Sequence, residues 1–479
     1  MDIAVAWCGV AFQAAGPMSI RRRSPFPMDT KWLKGASGLH GVDPDAIREA
    51  RMTHLKVTGG KPISGSVTVS GNKNALLPMV CASLLTNDLI TVSNAPKLSD
   101  IAKISHMFAQ IGSTVSHDGA TFTVQHRADV DNIAPEALPT GIRSAVLLFA
   151  PVLHKTGRFE FSQDAKGCAL GVREIDPHLE VLEKFGCGVA YNGTSCVLTC
   201  PDGFIGADVW QDYQSVTATE TFLMAAVMAK GKSRMINAAC EPHVKYFCLF
   251  LNEMGAKITG LGTSILEVEG VDVLHGVDFR TPDDHHEAAT YAAIGAATGG
   301  VLRVVTDIAP EMVLIVRQFQ KIGLNIKITD TGLITGPSSF IVEKGFTPEI
   351  VTKVEAAPWP YFPADILPQI IGASIRCKGE ILFWNKIYEG ALFWTSELQK
   401  FGATAHLSDP HRLMIIGTQT LRPAVVEAPY IIRVVLGLLI AALQIDGESL
   451  VRNAEPISRA HPDFIEKLQG LGVRIAWIA

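Results

Sequence analysis

Several common signatures are missing from this chain of 479 residues. Nine cysteines, an odd number, include no CxxC pair and no neighbouring histidine ligand set, so neither a disulfide framework nor a structural zinc site is indicated. Free thiols in a reducing cytoplasm are expected. The formal net charge is only −5, which leaves no electrostatic footprint for nucleic acid. The longest apolar run, IIRVVLGLLIAAL, is interrupted by Arg433 and is too short to span a bilayer. Neither a phosphate-binding P-loop nor a nicotinamide fingerprint occurs, so no cofactor and no metal is expected. At the N-terminus the basic residues follow the apolar stretch, whereas an export signal places them first. Residues 1–51 are therefore set aside as an extension of unassigned role, with Met18, Met28 and Met52 as alternative starts; the regular pattern begins at HLKVTGG.

What is present is a repeat. An amphipathic helical stretch ends in an apolar residue and a glycine, then turns into a β-patterned segment, at Gly112, Gly186, Gly255, Gly323, Gly402 and Gly472. The interval is roughly 70 residues, the mark of one folding unit duplicated several times. Glycine just past the last turn adopts a left-handed conformation that closes a helix without a Cβ clash. The alternating run that follows, as in Ala-Lys-Ile-Thr after Gly255, usually breaks at Asp-Gly, Asn-Gly or Leu-Gly before a second run, which predicts strand, turn, strand. Upstream of each unit lies a second helix rich in small apolar residues, such as TETFLMAAVMAKG and EAATYAAIGAATGG. These helices suit burial, with the charged helices covering them.

Four stretches carry a family resemblance: LKVTGGKPISGSVTVSGNKNALLP at 55–78, CALGVREIDPH at 168–178, NAACEP at 237–242 and APWPYFPAD at 357–365. Together they resemble the enolpyruvyl transferases, and within them the branch acting on UDP-N-acetylglucosamine, in register from about residue 53 to the C-terminus. The resemblance implies an α/β (α+β) fold: a two-lobed inside-out α/β barrel of six βαβαββ repeats, three per lobe, with the substrates in the cleft between lobes. It divides the chain into lobe I at 72–281 and lobe II at 52–71 plus 282–479.

The chemistry it implies is transfer of the enolpyruvyl group of phosphoenolpyruvate to a hydroxyl of a uridine nucleotide. Attack at C2 requires protonation of C3, deprotonation of the hydroxyl and fixed cations around a highly anionic donor. Lys73 matches the motif lysine, a point charge for phosphate or carboxylate, with Asn74 beside it at a helix start. Cys168 matches a reactive loop cysteine, flanked by Lys166 and Arg173, and is expected to act as general acid toward C3 and to be the site of alkylation by fosfomycin. Arg173, Arg143 and Arg433 match arginines of the donor site; Arg433 sits within an apolar helix, where an unpaired cation is costly. Asp365 matches the residue that orients the acceptor hydroxyl and takes its proton. Asp284 matches a second acidic position near the hinge, with a helix N-cap as its structural alternative. The nucleotide is expected to be held by Asp176, His178, Ser215 and Thr217.

The sequence also departs from the family pattern. Ala391 and His285 stand where arginines are usual, Ala364 replaces a threonine, and Glu174 and Pro177 differ from the usual proline and leucine. UDP-N-acetylglucosamine is the leading acceptor. UMP is the runner-up, because a smaller acceptor accounts for changes outside the donor site, and shikimate 3-phosphate ranks lower. A weakened, nucleotide-binding regulatory paralogue is the alternative from another class.

Overall fold

The structure, a computed structural model, describes residues 53–128, 130, 133, 138–139, 143–162, 175–192, 195–347, 349–417 and 420–479. Each of the six glycines has a positive φ, between 79° and 105°, directly after or within two residues of a helix end. Five are followed by an antiparallel pair of strands: Thr114–Asp118 with Thr121–Gln125, Gly188–Asn192 with Ser195–Thr199, Lys257–Thr259 with Ile265–Glu269, Ile326–Thr329 with Gly332–Thr335, and Thr404–Asp409 with Arg412–Ile416. The covering element of the fifth unit is a 3₁₀ helix, Phe393–Phe401, rather than an α-helix.

The sixth unit ends in a single strand, Arg474–Ile478, and its partner comes from the other end of the chain. Strand His54–Gly59 pairs antiparallel with both Arg474–Ile478 and Gly447–Arg452, filling the place that the second hairpin strand fills elsewhere. Two more strands leave their own units. Gly65–Thr68 pairs parallel with Leu302–Val305 of the fourth unit, while Val277–Arg280 pairs parallel with Ile90–Ser93 of the first. The crossings are bonded to each other: Asn72 N donates to Pro282 O at 2.8 Å and Asp284 N to Ser70 O at 2.8 Å. Gly71 lies between them because the Asn94 carbonyl passes there; a Cβ would sit 1.8 Å from that oxygen.

The sheets remain separate, and among the described residues none closes into a barrel. Two hydrophobic cores form, one from side chains between Ala75 and Phe279, the other from Leu55–Val69 together with Ala288–Ile475. The small-residue helices occupy these cores. Val216–Ala226 is buried from Ala218 onward, and Ile432–Leu443 from Val434 onward. No helix among the described residues is long and apolar enough to cross a membrane.

Glycines at a helix contact set the geometry of the second core. A Cβ on Gly372 would lie 2.0 Å from Gly437 O, and one on Gly437 would lie 2.5 Å from Pro368 O. The helices Leu367–Ser374 and Ile432–Leu443 therefore touch backbone to backbone. Such an approach is open only to residues without a side chain. It brings the segment before one helix, with Asp365, beside the first turn of the other, with Arg433.

Candidate active site

Asp365 and Arg433 meet in an ion pair, Oδ2 to a terminal guanidinium nitrogen. Neither is fully buried, the side chains keeping 19% and 28% of their exposure, so the pair lines a surface that a ligand can reach. Ala364, Tyr388, Ala391, Leu392 and Ile431 form a niche around Arg433. Ala391 brings a methyl group to this niche.

On the other side of Asp365 stands a residue that the sequence reading did not single out. His286 Nε2 lies 3.8 Å from Asp365 Oδ2, and its Nδ1 lies 2.9 Å from Asp284 Oδ1. Asp284 caps the helix His285–Thr298, accepting from His286 N at 2.8 Å, and Asn72 Nδ2 approaches it at 3.4 Å. Its N-cap role and its place beside the site are thus one arrangement. The adjacent aspartate does different work: Asp283 pairs with Arg280 at 2.9 Å and accepts from Asn94 Nδ2 at 2.9 Å.

The charge states follow from burial and neighbours. Burial, reinforced by the charge of His286, drives the pKa of His285 well below its usual value. It is neutral and supplies no positive charge to the site. His243, stacked on His285 with centroids 6.0 Å apart, is likewise pushed down, to about 3, by burial and then by His286. For His286 burial also opposes the charged form, but the charge and hydrogen bond of Asp284, with Asp365 behind, outweigh it and raise the pKa. The carboxyl of Asp284 is held below the ordinary range: desolvation works against this, and the charge and hydrogen bond of His286 prevail. Asp284, His285 and His286 place ligand-type atoms within 4.8 Å of one another, a metal-like spacing. Those atoms already serve one another and Asn72 rather than converging on an open centre.

Two of the quoted motifs touch here. In NAACEP, Cys240 Sγ donates to Trp359 O at 3.0 Å, and the Glu241 carboxylate accepts from the Trp359 backbone, in APWPYFPAD. Burial first, offset by backbone hydrogen bonds and reinforced by Asp365, brings Glu241 up to about 7. Its second oxygen, Oε2, has no partner.

The remaining candidates are spread around this centre. Lys73 opens the helix Lys73–Ala82, capped by Asn72, which accepts from Asn74 N at 2.8 Å and Ala75 N at 3.1 Å. Lys73 Nζ is paired with Asp100 at 2.9 Å and reaches Arg459 O at 3.5 Å. His178 and Thr217 meet at 3.1 Å, with Thr221 at 2.8 Å on the other ring nitrogen, so the imidazole is tied into the core at 2% exposure. Ser215 caps the Val216–Ala226 helix, and Asp176 is exposed at the start of Asp176–Lys184. Cys168 and Arg173 lie outside the described residues. Arg143 starts a 3₁₀ helix, Arg143–Leu148, and its side chain also lies outside them.

Asp365, Arg433 and His286 are thus brought together from three separate stretches of the chain. The family model described as EPSP synthase (3-phosphoshikimate 1-carboxyvinyltransferase) matches residues 57–468. The chain belongs to this enolpyruvyl transferase family. The transferase is 33% identical over 420 residues to UDP-N-acetylglucosamine 1-carboxyvinyltransferase of Borreliella burgdorferi, covering 88% of this chain and 97% of that protein. It is 33% identical over 421 residues to the protein of the same name from Bradyrhizobium diazoefficiens, covering 88% and 96%. Its fold is similar to the enolpyruvyl transferase NikO of Streptomyces tendae, with a TM-score of 0.77 at 20% identity over 89% of this chain and 99% of that one.

Proposed function

We propose that this enolpyruvyl transferase moves the enolpyruvyl group of phosphoenolpyruvate to the 3′-hydroxyl of UDP-N-acetylglucosamine, in the cytoplasm and toward peptidoglycan. The observation that carries the reading is the contact between Asp365 and Arg433, a base and an anion-binding cation side by side. The seven described cysteines are unpaired thiols, which accords with a reducing compartment. In this reading residues 72–281 form one lobe and 52–71 with 282–479 the other.

The acceptor oxygen attacks C2 of phosphoenolpyruvate while its proton passes to Asp365, and C3 takes a proton from Cys168. The tetrahedral intermediate then gives up a C3 proton and expels phosphate, restoring the enol ether. Arg433, with Arg143, Arg173 and Lys73, neutralises the donor anion throughout. Asp176, His178, Ser215 and Thr217 belong to the acceptor side. There His178 is buried, so it acts by holding Thr217 rather than by facing the nucleotide itself. UMP is retained as the second acceptor because Ala391 and the neutral His285 leave two family cation positions uncharged, which suits a smaller acceptor.

Phosphate release from phosphoenolpyruvate, measured in parallel with UDP-N-acetylglucosamine, UMP and shikimate 3-phosphate, tests this. Release with the UDP-sugar is expected, and Asp365→Ala should lower turnover by at least ~100-fold, the usual worth of a positioned base. Release with UMP alone selects the second acceptor. No release with any of the three removes the enzymatic reading.

A further inference from the structure

Resting on the function proposed above, Arg433 carries two commitments that compete. It neutralises the donor anion, yet without donor one of its terminal nitrogens is held by Asp365. When an anion draws that nitrogen away, Asp365 loses the partner that fixes it, at the step when its orientation toward the acceptor matters most.

The other neighbour of Asp365 is built to take that place. His286 is anchored at Nδ1 by Asp284, itself fixed as a helix cap and approached by Asn72. The free end of the ring, Nε2, stops 3.8 Å short of Asp365 Oδ2. A charge-assisted hydrogen bond between such groups spans ~2.8 Å, so a movement of roughly 1 Å completes it. We propose that His286 is a positioning residue that receives Asp365 from Arg433 when donor binds, keeping the carboxylate aimed at the acceptor hydroxyl.

The carboxylates around His286 favour a cationic imidazole in this role. From its own helix His286 faces Asp284 and His285, from Pro242–Glu253 it faces His243, from the segment before Leu367–Ser374 it faces Asp365, and from Ile432–Leu443 it faces Arg433. His461 stands behind Asp284. His243 and His285 are neutral, so they do not compete for the charge. Arg433 is the one group that works against the proton on His286 among these, and donor binding draws it away. The handover therefore strengthens the histidine at the moment it is used.

The sign is fixed by the raised pKa of His286: the positioning cation is complete below that value and lost as pH rises through it. Turnover of the wild type should fall on this basic limb. His286→Gln should lower kcat by ~10- to 100-fold, as misplacement of a reacting group does, leave KM for phosphoenolpyruvate within about twofold, and erase the limb. His286→Lys, which restores a cation, should recover part of kcat. A His286→Gln enzyme with unchanged kcat and the same basic limb overturns the proposal. So does a loss confined to KM for phosphoenolpyruvate. A readout independent of turnover separates this inference from the reading beneath it. In nitrogen NMR of the full chain, with His286→Gln assigning the resonance, Asp365→Asn should lower the pKa of His286. No change refutes the coupling even if no acceptor is found.

Discussion

Replacing Gly372 with alanine sets two effects of opposite sign against each other. In a helix interior alanine is favoured over glycine by about 1 kcal/mol, so propensity alone predicts a more stable protein. The contact predicts the reverse. The added Cβ would lie 2.0 Å from Gly437 O, a backbone atom that no rotamer change can move. A carbon and an oxygen need roughly 3.3 Å, so the helices Leu367–Ser374 and Ile432–Leu443 must separate by on the order of 1 Å along that line. Overpacking of this kind costs typically 1–3 kcal/mol, and here it meets buried helices on both sides. The net expectation is a loss of up to about 2 kcal/mol, read as a fall in Tm of roughly 1–2 °C by differential scanning calorimetry. Because the same contact sets Asp365 against Arg433, a 1 Å shift should also lower turnover by up to ~100-fold. A Tm equal to or above that of the wild type, with turnover unchanged, would show that the glycine contact does not fix the site.

Two further outcomes follow from groups near the crossings. Glu287, fully buried, accepts from Ser70 N at 2.7 Å and pairs with Lys467 at 3.0 Å, so Lys467→Met should strand its charge and cost about 3–5 kcal/mol in denaturant unfolding, whereas the double change Glu287→Gln with Lys467→Met should recover much of it. Glu241, brought up to about 7 chiefly by burial, favours folding in its protonated form. Its contribution is complete below the ordinary carboxylate pKa and is lost as pH rises toward 7, so Glu241→Gln should flatten the decline of stability between about pH 4 and 7.

The repeat was legible because each unit carries its own punctuation. All six glycines adopt the left-handed conformation that closes a helix, and that requirement is local to a few residues. The strand exchanges were legible only through family resemblance, since Gly65–Thr68 and Leu302–Val305 are joined by hydrogen bonds across more than two hundred residues and neither segment names its partner. Asp365 and Arg433 could be picked out singly as a motif aspartate and a cation in an apolar helix. Their contact depends on Gly372 and Gly437, which read in the sequence as ordinary small residues. His286 was hidden by its neighbours. In DDHHE the cap residue fixes the phase of the helix, and with Asp284 as the cap the second histidine, not the first, folds back to face both aspartates. A search for a capping aspartate followed two residues later by histidine would have found it.

The strand His54–Gly59 gives the sixth unit a dependence on time. Val57 pairs with Ser449 and with Ile475, residues made about four hundred positions later. At ~5–20 residues per second of synthesis, that strand waits some 20–80 s with both edges unsatisfied. Exposed strand edges are templates for association. The first of the described strands to leave the ribosome is thus among the last to find its place, waiting for Arg474–Ile478 to be made.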